Sequence, residues 1–133
     1  MKLKLEIINL EGQYLSKEVD FVNVVTIAGE LTILANHLPL ITTLKISHLY
    51  FSIDDEVTYF AIAGGTLFVS EDGCKIITSA IEKEDEIDFD RAQNAKNRAL
   101  DRINAHNNNE SIDIKRAELA LLRAVNRLSF KEK

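Results

Sequence analysis

The chain has 133 residues, 46% of them hydrophobic and 28% charged, which fits one globular domain or a small core with an appendage. Its apolar runs, such as Leu31–Leu34, are too short to span a bilayer, no signal peptide is legible, and the single cysteine, Cys74, excludes an internal disulfide. The net charge of −5 divides into −8 over residues 1–86 and +3 over residues 87–133, so the acidic main part argues against nucleic acid as the chief partner.

From the first residue to about position 81 the hydrophobic pattern has period two. Leu3, Leu5 and Ile7 alternate with Lys2, Lys4 and Glu6. Val22 and Val24 flank Asn23 within a β-branched run from Val19 to Ile27. Val57, Tyr59 and Ala61 follow the acidic Asp54-Asp55-Glu56, and Leu67, Val69, Ile76 and Ile77 continue the pattern. Turn residues punctuate the runs at Glu11-Gly12, Ala28-Gly29, Gly64-Gly65 and Asp72-Gly73. Short strands with regular breaks predict a β-sandwich or barrel. The acidic stretch Glu82–Glu86 marks a boundary, placing domains at 1–84 and 85–133.

Beyond that boundary the period becomes helical. Residues 87–103 (IDFDRAQNAKNRALDRI) and 112–128 (IDIKRAELALLRAVNRL) are near-duplicates, identical at eight of seventeen positions at an offset of 25. Asp88 and Asp113 stand where an N-cap carboxylate would accept free N–H groups of the first turn. His106-Asn107-Asn108-Asn109 reads as a polar turn between two antiparallel helices. Alanines at spacings of three and four form one face of each helix. Six such alanines contribute only about 5 kcal/mol of burial, at roughly 0.8 kcal/mol per CH₂. The larger Leu100, Ile103, Leu121 and Leu128 must add to that, and a hairpin so built is expected to be marginal alone.

Arginines recur at spacings of seven and four, as a second stripe on each helix. A solvated face is the ordinary meaning of such a stripe. Here it occurs twice on facing helices, which would gather up to six guanidiniums. Guanidinium forks match carboxylates and phosphates, so an acidic helix or a nucleoside triphosphate is the expected ligand.

Catalytic signals are missing. His37, His48 and His106 show no metal-ligand spacing, and no phosphate loop or nucleophile elbow occurs. Gly64-Gly65 is too short to cradle phosphate and reads as a turn. The chain is expected not to be an enzyme and to hold no metal.

Four segments together resemble one family. Gly29–Thr42 (GELTILANHLPLIT) is similar to the G-E-L-G-I-L-P-G-H-A-P-L-L-T segment of the epsilon subunit of bacterial F-type ATP synthases. Ala61–Val69 resembles that family's S-G-G-F-L-E-V strands, Ile87–Ala92 matches its I-D-x-x-R-A nucleotide motif, and Arg116–Ser129 resembles the second helix of ATP-binding members. The resemblance implies an α+β fold, with a ten-stranded β-sandwich followed by an antiparallel two-helix hairpin. It implies a central-stalk rotor subunit that fixes the gamma subunit to the c-ring, with the loop from Glu30 to His37 facing the ring and both residues, as polar groups on an exposed turn, in contact with it. It further implies a regulatory hairpin that holds ATP when folded and reaches the alpha/beta catalytic head when extended. The positions matching the ATP site are Glu82, Ile87, Asp88, Arg91, Ala92, Arg98, Arg123 and Arg127. The implied location is the cytoplasmic face of a bacterial membrane, peripheral and held through the complex. Thr32, Ala35 and Asn36 depart from the family's usual Gly, Pro and Gly; asparagine tolerates positive φ, so the turn can survive. The alternative is a free-standing nucleotide-sensing adaptor with a β-sandwich platform.

Overall fold

The computed structural model describes residues 1–106 and 113–132. The chain forms two compact units, Met1–Glu84 and Asp85–Lys133. The segment Asn107–Asn109, expected to turn, lies outside the described residues, as does Ile112.

The first unit is all β. Its strands are β1 (Leu3–Asn9), β2 (Gly12–Val19), β3 (Phe21–Thr26), β4 (Gly29–Leu34), β5 (Leu40–Ile53), β6 (Glu56–Ser70), β7 (Gly73–Ile77) and β8 (Ile81–Lys83). They run in the order β2-β1-β7-β6-β5-β3-β4, with β8 also on β6. All pairs are antiparallel except β1 with β7.

Eight strands, rather than the expected ten, close the sandwich because β5 and β6 each run through both layers. Inward residues on β5 change from Leu44 to Leu49 and Phe51, and on β6 from Phe60 and Ile62 to Leu67 and Val69. Each strand thus swaps odd for even phase part-way along, which moves its apolar set onto the other layer. The swap falls at Lys45 opposite Gly64, the one position missing from an otherwise unbroken register between Leu44↔Gly65 and Ile46↔Ala63. Gly64 and Gly65 have φ of 79° and 139°, so the pair is a corner inside one strand and not the expected turn. Thr78 staples this corner: its Oγ1 lies 2.6 Å from the Gly64 carbonyl oxygen and 3.1 Å from that of Ala80.

The core between the layers is mainly apolar. Leu5, Ile7, Val22, Val24, Ile33, Leu49, Leu67 and Ile76 are completely buried or nearly so. The period-two reading of β1 agrees with this burial, and that of β3 agrees at Val22 and Val24. That of β6 agrees at Ala61, Leu67 and Val69 but not at its start, where Phe60 and Ile62 point inward while Val57 is 43% exposed. Ile77 is likewise exposed, its neighbour Ile76 being the buried one. Asn23, expected outside, is buried, and its Nδ2 donates to Thr32 Oγ1 at 2.9 Å. That bond gives Thr32 a function where the family has Gly. Asn36 takes φ 65° in the following turn, as the tolerance of asparagine allows.

The second unit holds α1 (Phe89–His106) and α2 (Ile114–Ser129), packed as a hairpin. Both start as expected. Asp88 Oδ1 accepts from Arg91 N at 3.0 Å, and Asp113 Oδ1 accepts from Arg116 N at 3.1 Å. The buried seam is narrower than six alanines. Ala92, Ala99, Ala117 and Ala124 are buried, whereas Ala95 and Ala120 are only half-buried. Burial therefore recurs every seven residues, the repeat of a close-packed antiparallel pair. Leu100, expected to strengthen the contact, is 37% exposed.

Candidate functional site

Each buried alanine of the seam is preceded by an arginine: Arg91, Arg98, Arg116 and Arg123. One residue advances a helix by about 100°, so these arginines lie about a quarter-turn from the seam, and Arg102 and Arg127 share that phase. In two antiparallel helices facing each other, equal offsets from the seam fall on the same side. All six guanidiniums thus belong to one side of the hairpin. Away from the stripe α2 carries Leu122 and Val125, which are 54% and 45% exposed, and Leu119 at its back is 48% exposed.

The small seam residues shape this side. Alanine lets helix axes approach to the low end of the usual 8–10 Å, roughly, so arginines on both helices can reach a shared ligand. Because the chain reverses, the first turn of each helix lies beside the last turn of the other. Arg91 is thereby neighboured by Arg127, and Arg123 stands one turn further along α2. Arg91, Arg98 and Arg123 are exposed and make no salt bridge among the described residues. Arg127 is half-buried and has partners of its own. The stripe is suited to neutralising clustered negative charge, and guanidinium forks are built for phosphate oxygens.

The remaining residues of the expected nucleotide set are placed as follows. Ile87 is buried at the entrance to α1, and Ala92 is fully buried in the seam. Asp88 is exposed, with its carboxylate accepting from the Arg91 backbone. That bond holds the start of α1 and sets the phase of Arg91. Glu82 belongs to the other unit, on β8, paired in register with Ala61. Arg102 and Arg116 complete the stripe without belonging to the expected set; the repeat at an offset of 25 is the signal that finds them.

Glu30 and His37 are not on one turn. Glu30 is the second residue of β4 and His37 follows its end, so the strand from Glu30 to Leu34, about 13 Å at about 3.3 Å per residue, lies between them. Glu30 Oε1 lies 3.6 Å from His48 Nε2, and the His37 backbone N–H donates to Leu34 O at 3.2 Å. Leu34, Leu38 and Ile41 around His37 are 57%, 79% and 71% exposed, so this end of the sandwich offers apolar contact area.

An all-β sandwich followed by an antiparallel two-helix hairpin defines a two-domain α+β class of chain. Family models agree residue by residue: the beta-sandwich domain of the ATP synthase delta/epsilon chain matches residues 2–84, and the long alpha-helix domain matches residues 85–132. The chain belongs to the ATP synthase epsilon chain family. It is 38% identical over 130 residues to the ATP synthase epsilon chain of Ligilactobacillus salivarius, covering 96% of this chain and 94% of that one. It is 39% identical over 126 residues to that of Bacillus velezensis, covering 95% and 94%. Among solved structures, a chain of the Euglena gracilis mitochondrial ATP synthase (OSCP/F1/c-ring) shares the fold, with a TM-score of 0.83, 21% identity and coverage of 99% of this chain and 82% of that one. A chain of the Tetrahymena thermophila mitochondrial ATP synthase central stalk and c-ring gives a TM-score of 0.56 at 17% identity, covering 65% and 69%. As an epsilon-type chain, the protein is a non-catalytic subunit of the ATP synthase.

Proposed function

We propose that the chain is a rotor subunit whose sandwich joins gamma to the c-ring and whose hairpin senses ATP and restrains hydrolysis. One observation carries the regulatory half. An arginine stripe confined to one side of the hairpin begins at an I-D-x-x-R-A turn, with Arg91, Arg98 and Arg123 open to a ligand. In this reading Arg91, Arg98, Arg123 and Arg127 neutralise the phosphates. Asp88 fixes the phase of Arg91, Ile87 and Ala92 seat the helix start, and Glu82 is carried in the set by the family resemblance alone. The same stripe serves an acidic helix of the catalytic head when the hairpin extends. The two ligands compete, and ATP at tenfold excess over its Kd favours the folded form by about 1.4 kcal/mol.

The docking half rests on Glu30, His37 and the apolar residues beside His37 as contacts to the ring and gamma. No helix among the described residues is long and apolar enough to cross a membrane, so attachment to the cytoplasmic face of a bacterial membrane runs through partners.

The test is ATP titration of the isolated chain by calorimetry. Arg91→Ala and Arg123→Ala weaken binding, most visibly at low salt, where phosphate contacts are least screened. Unchanged heats in both variants remove the nucleotide site. Failure to form a one-to-one complex with gamma would instead favour a free-standing adaptor.

A further inference from the structure

We infer that the hairpin carries a second anion site, formed by Arg102 of α1 and Arg116 of α2 with Arg98 shared between it and the nucleotide site, which takes the phosphates of a polyphosphate without reading a base. The sequence I-D-x-x-R-A occurs twice in the chain, at 87–92 and at 112–117. The described parts of the two copies have the same geometry. The Arg N–H to Asp Oδ1 distance is 3.0 Å in the first and 3.1 Å in the second. The Ala N–H to Asp carbonyl distance is 3.0 Å and 3.2 Å, and both alanines are buried.

Chain reversal then gives each motif arginine equivalent company. Arg91 in the first turn of α1 lies beside the last turn of α2, with Arg127 and Arg123. Arg116 in the first turn of α2 lies beside the last turn of α1, with Arg102 and Arg98. The offset of 25 carries Arg91, Arg98 and Arg102 onto Arg116, Arg123 and Arg127, so it exchanges the two triads. Whatever lets one triad hold phosphate oxygens is present in the other.

The second triad is open. Arg98, Arg102 and Arg116 are exposed, and none makes a salt bridge among the described residues. By helical phase, Asp101 and Glu118 fall on other sides of their helices. Among the described residues Asp113 is the carboxylate on this side, and it accepts from the Arg116 backbone. Three neighbouring cations thus face water together and gain most from a multiply charged ligand. The repeat begins at Ile87, so the second site has no counterpart of Glu82. It recognises phosphate charge alone.

The inference rests on the nucleotide reading in one respect, that an I-D-x-x-R-A triad binds phosphate, and the test separates them. The full chain is dialysed to equilibrium at low salt against labelled inorganic tripolyphosphate and, separately, labelled ATP. The expected result is two tripolyphosphates per chain, falling to one in R102A/R116A and to one in R91A/R123A, with ATP binding kept in R102A/R116A. R102K/R116K restores the second tripolyphosphate, and R102Q/R116Q replaces the alanine pair if helicity drops. Unchanged tripolyphosphate stoichiometry in both the alanine and glutamine pairs overturns the second site and leaves the first standing. If R91A/R123A leaves ATP binding intact while R102A/R116A loses one tripolyphosphate, the nucleotide reading falls and the second site stands.

Discussion

Replacing Gly65 by Ala tests whether the corner in β6 is sterically closed. A Cβ there would lie 2.1 Å from Ile77 O, 3.0 Å from Ile77 C and 3.1 Å from Thr78 Cα. All three are backbone atoms of the strand alongside, so no rotamer change relieves them. The φ of +139° adds strain that a side chain rarely accepts. Strain of this kind costs about 1–3 kcal/mol, and forcing atoms into a packed region costs about as much again. The sum, about 2–6 kcal/mol, is a large share of the roughly 5–15 kcal/mol that holds a domain folded. For a domain of this size it lowers Tm by about 8 °C or more. Gly12→Ala is the matched control: its φ is +115° but nothing lies within 4 Å of the added carbon. Only the strain remains there. Urea unfolding of the full chain, followed by β-sheet circular dichroism, measures both. If the two variants are equally destabilised, to within about 0.5 kcal/mol, the closed corner is wrong and backbone strain alone governs both sites.

Asp88→Ala and Asp113→Ala each remove a cap, costing about 1 kcal/mol of helix stability. Amide exchange should therefore quicken in the hairpin while β-strand protection stays unchanged. Lys2 Nζ bridges Asp20 at 2.7 Å and Asp54 at 2.8 Å, tying β1 to the turns before β3 and β6. The Lys2 hydrogen bond lowers the Asp20 pKa below its ordinary 3.8, and the Asp20 and Asp54 hydrogen bonds raise that of Lys2 above 10.5. A depressed carboxyl stabilises above its unfolded value and loses this as pH falls through the folded one; a raised ammonium stabilises below its unfolded value and loses this as pH rises through the folded one. Lys2→Met should lower the urea midpoint at neutral pH, and the gap to the parent should close below pH 3.8 and again above pH 10.5. Burial pushes the Cys74 thiol up to about 12. A thiol reagent at mildly alkaline pH should label it at least about a hundredfold more slowly in the folded chain than in urea.

Much of the fold is legible in local pattern because local physics decides it. Alternation at Leu3, Leu5 and Ile7 marks an inward face, since successive strand side chains take opposite sides. The caps at Asp88 and Asp113 are readable because a carboxylate before a helical period has one obvious partner. The duplicated helices declare their own geometry: a buried alanine preceded by arginine, four times over, places the cations on one side once the helices are antiparallel.

Other features needed the tertiary structure. Whether Val57 or Phe60 faces inward depends on which layer that part of β6 joins, and the phase swap at Gly64-Gly65 is invisible to a pattern that looks the same in either phase. Asn23 looks solvent-facing by alternation but is buried, with Thr32 as its partner across the strand pair. Glu30 and His37 read as one exposed turn until pairing with β3 draws the residues between them into a strand. The sequence by itself determined the two-part organisation, the helix starts and the arginine stripe, all governed by contacts within a few residues. Only the tertiary structure decided the eight continuous strands, the corner that joins the layers and the narrow four-alanine seam. Those depend on which distant backbone lies alongside, and no short window of residues contains that information.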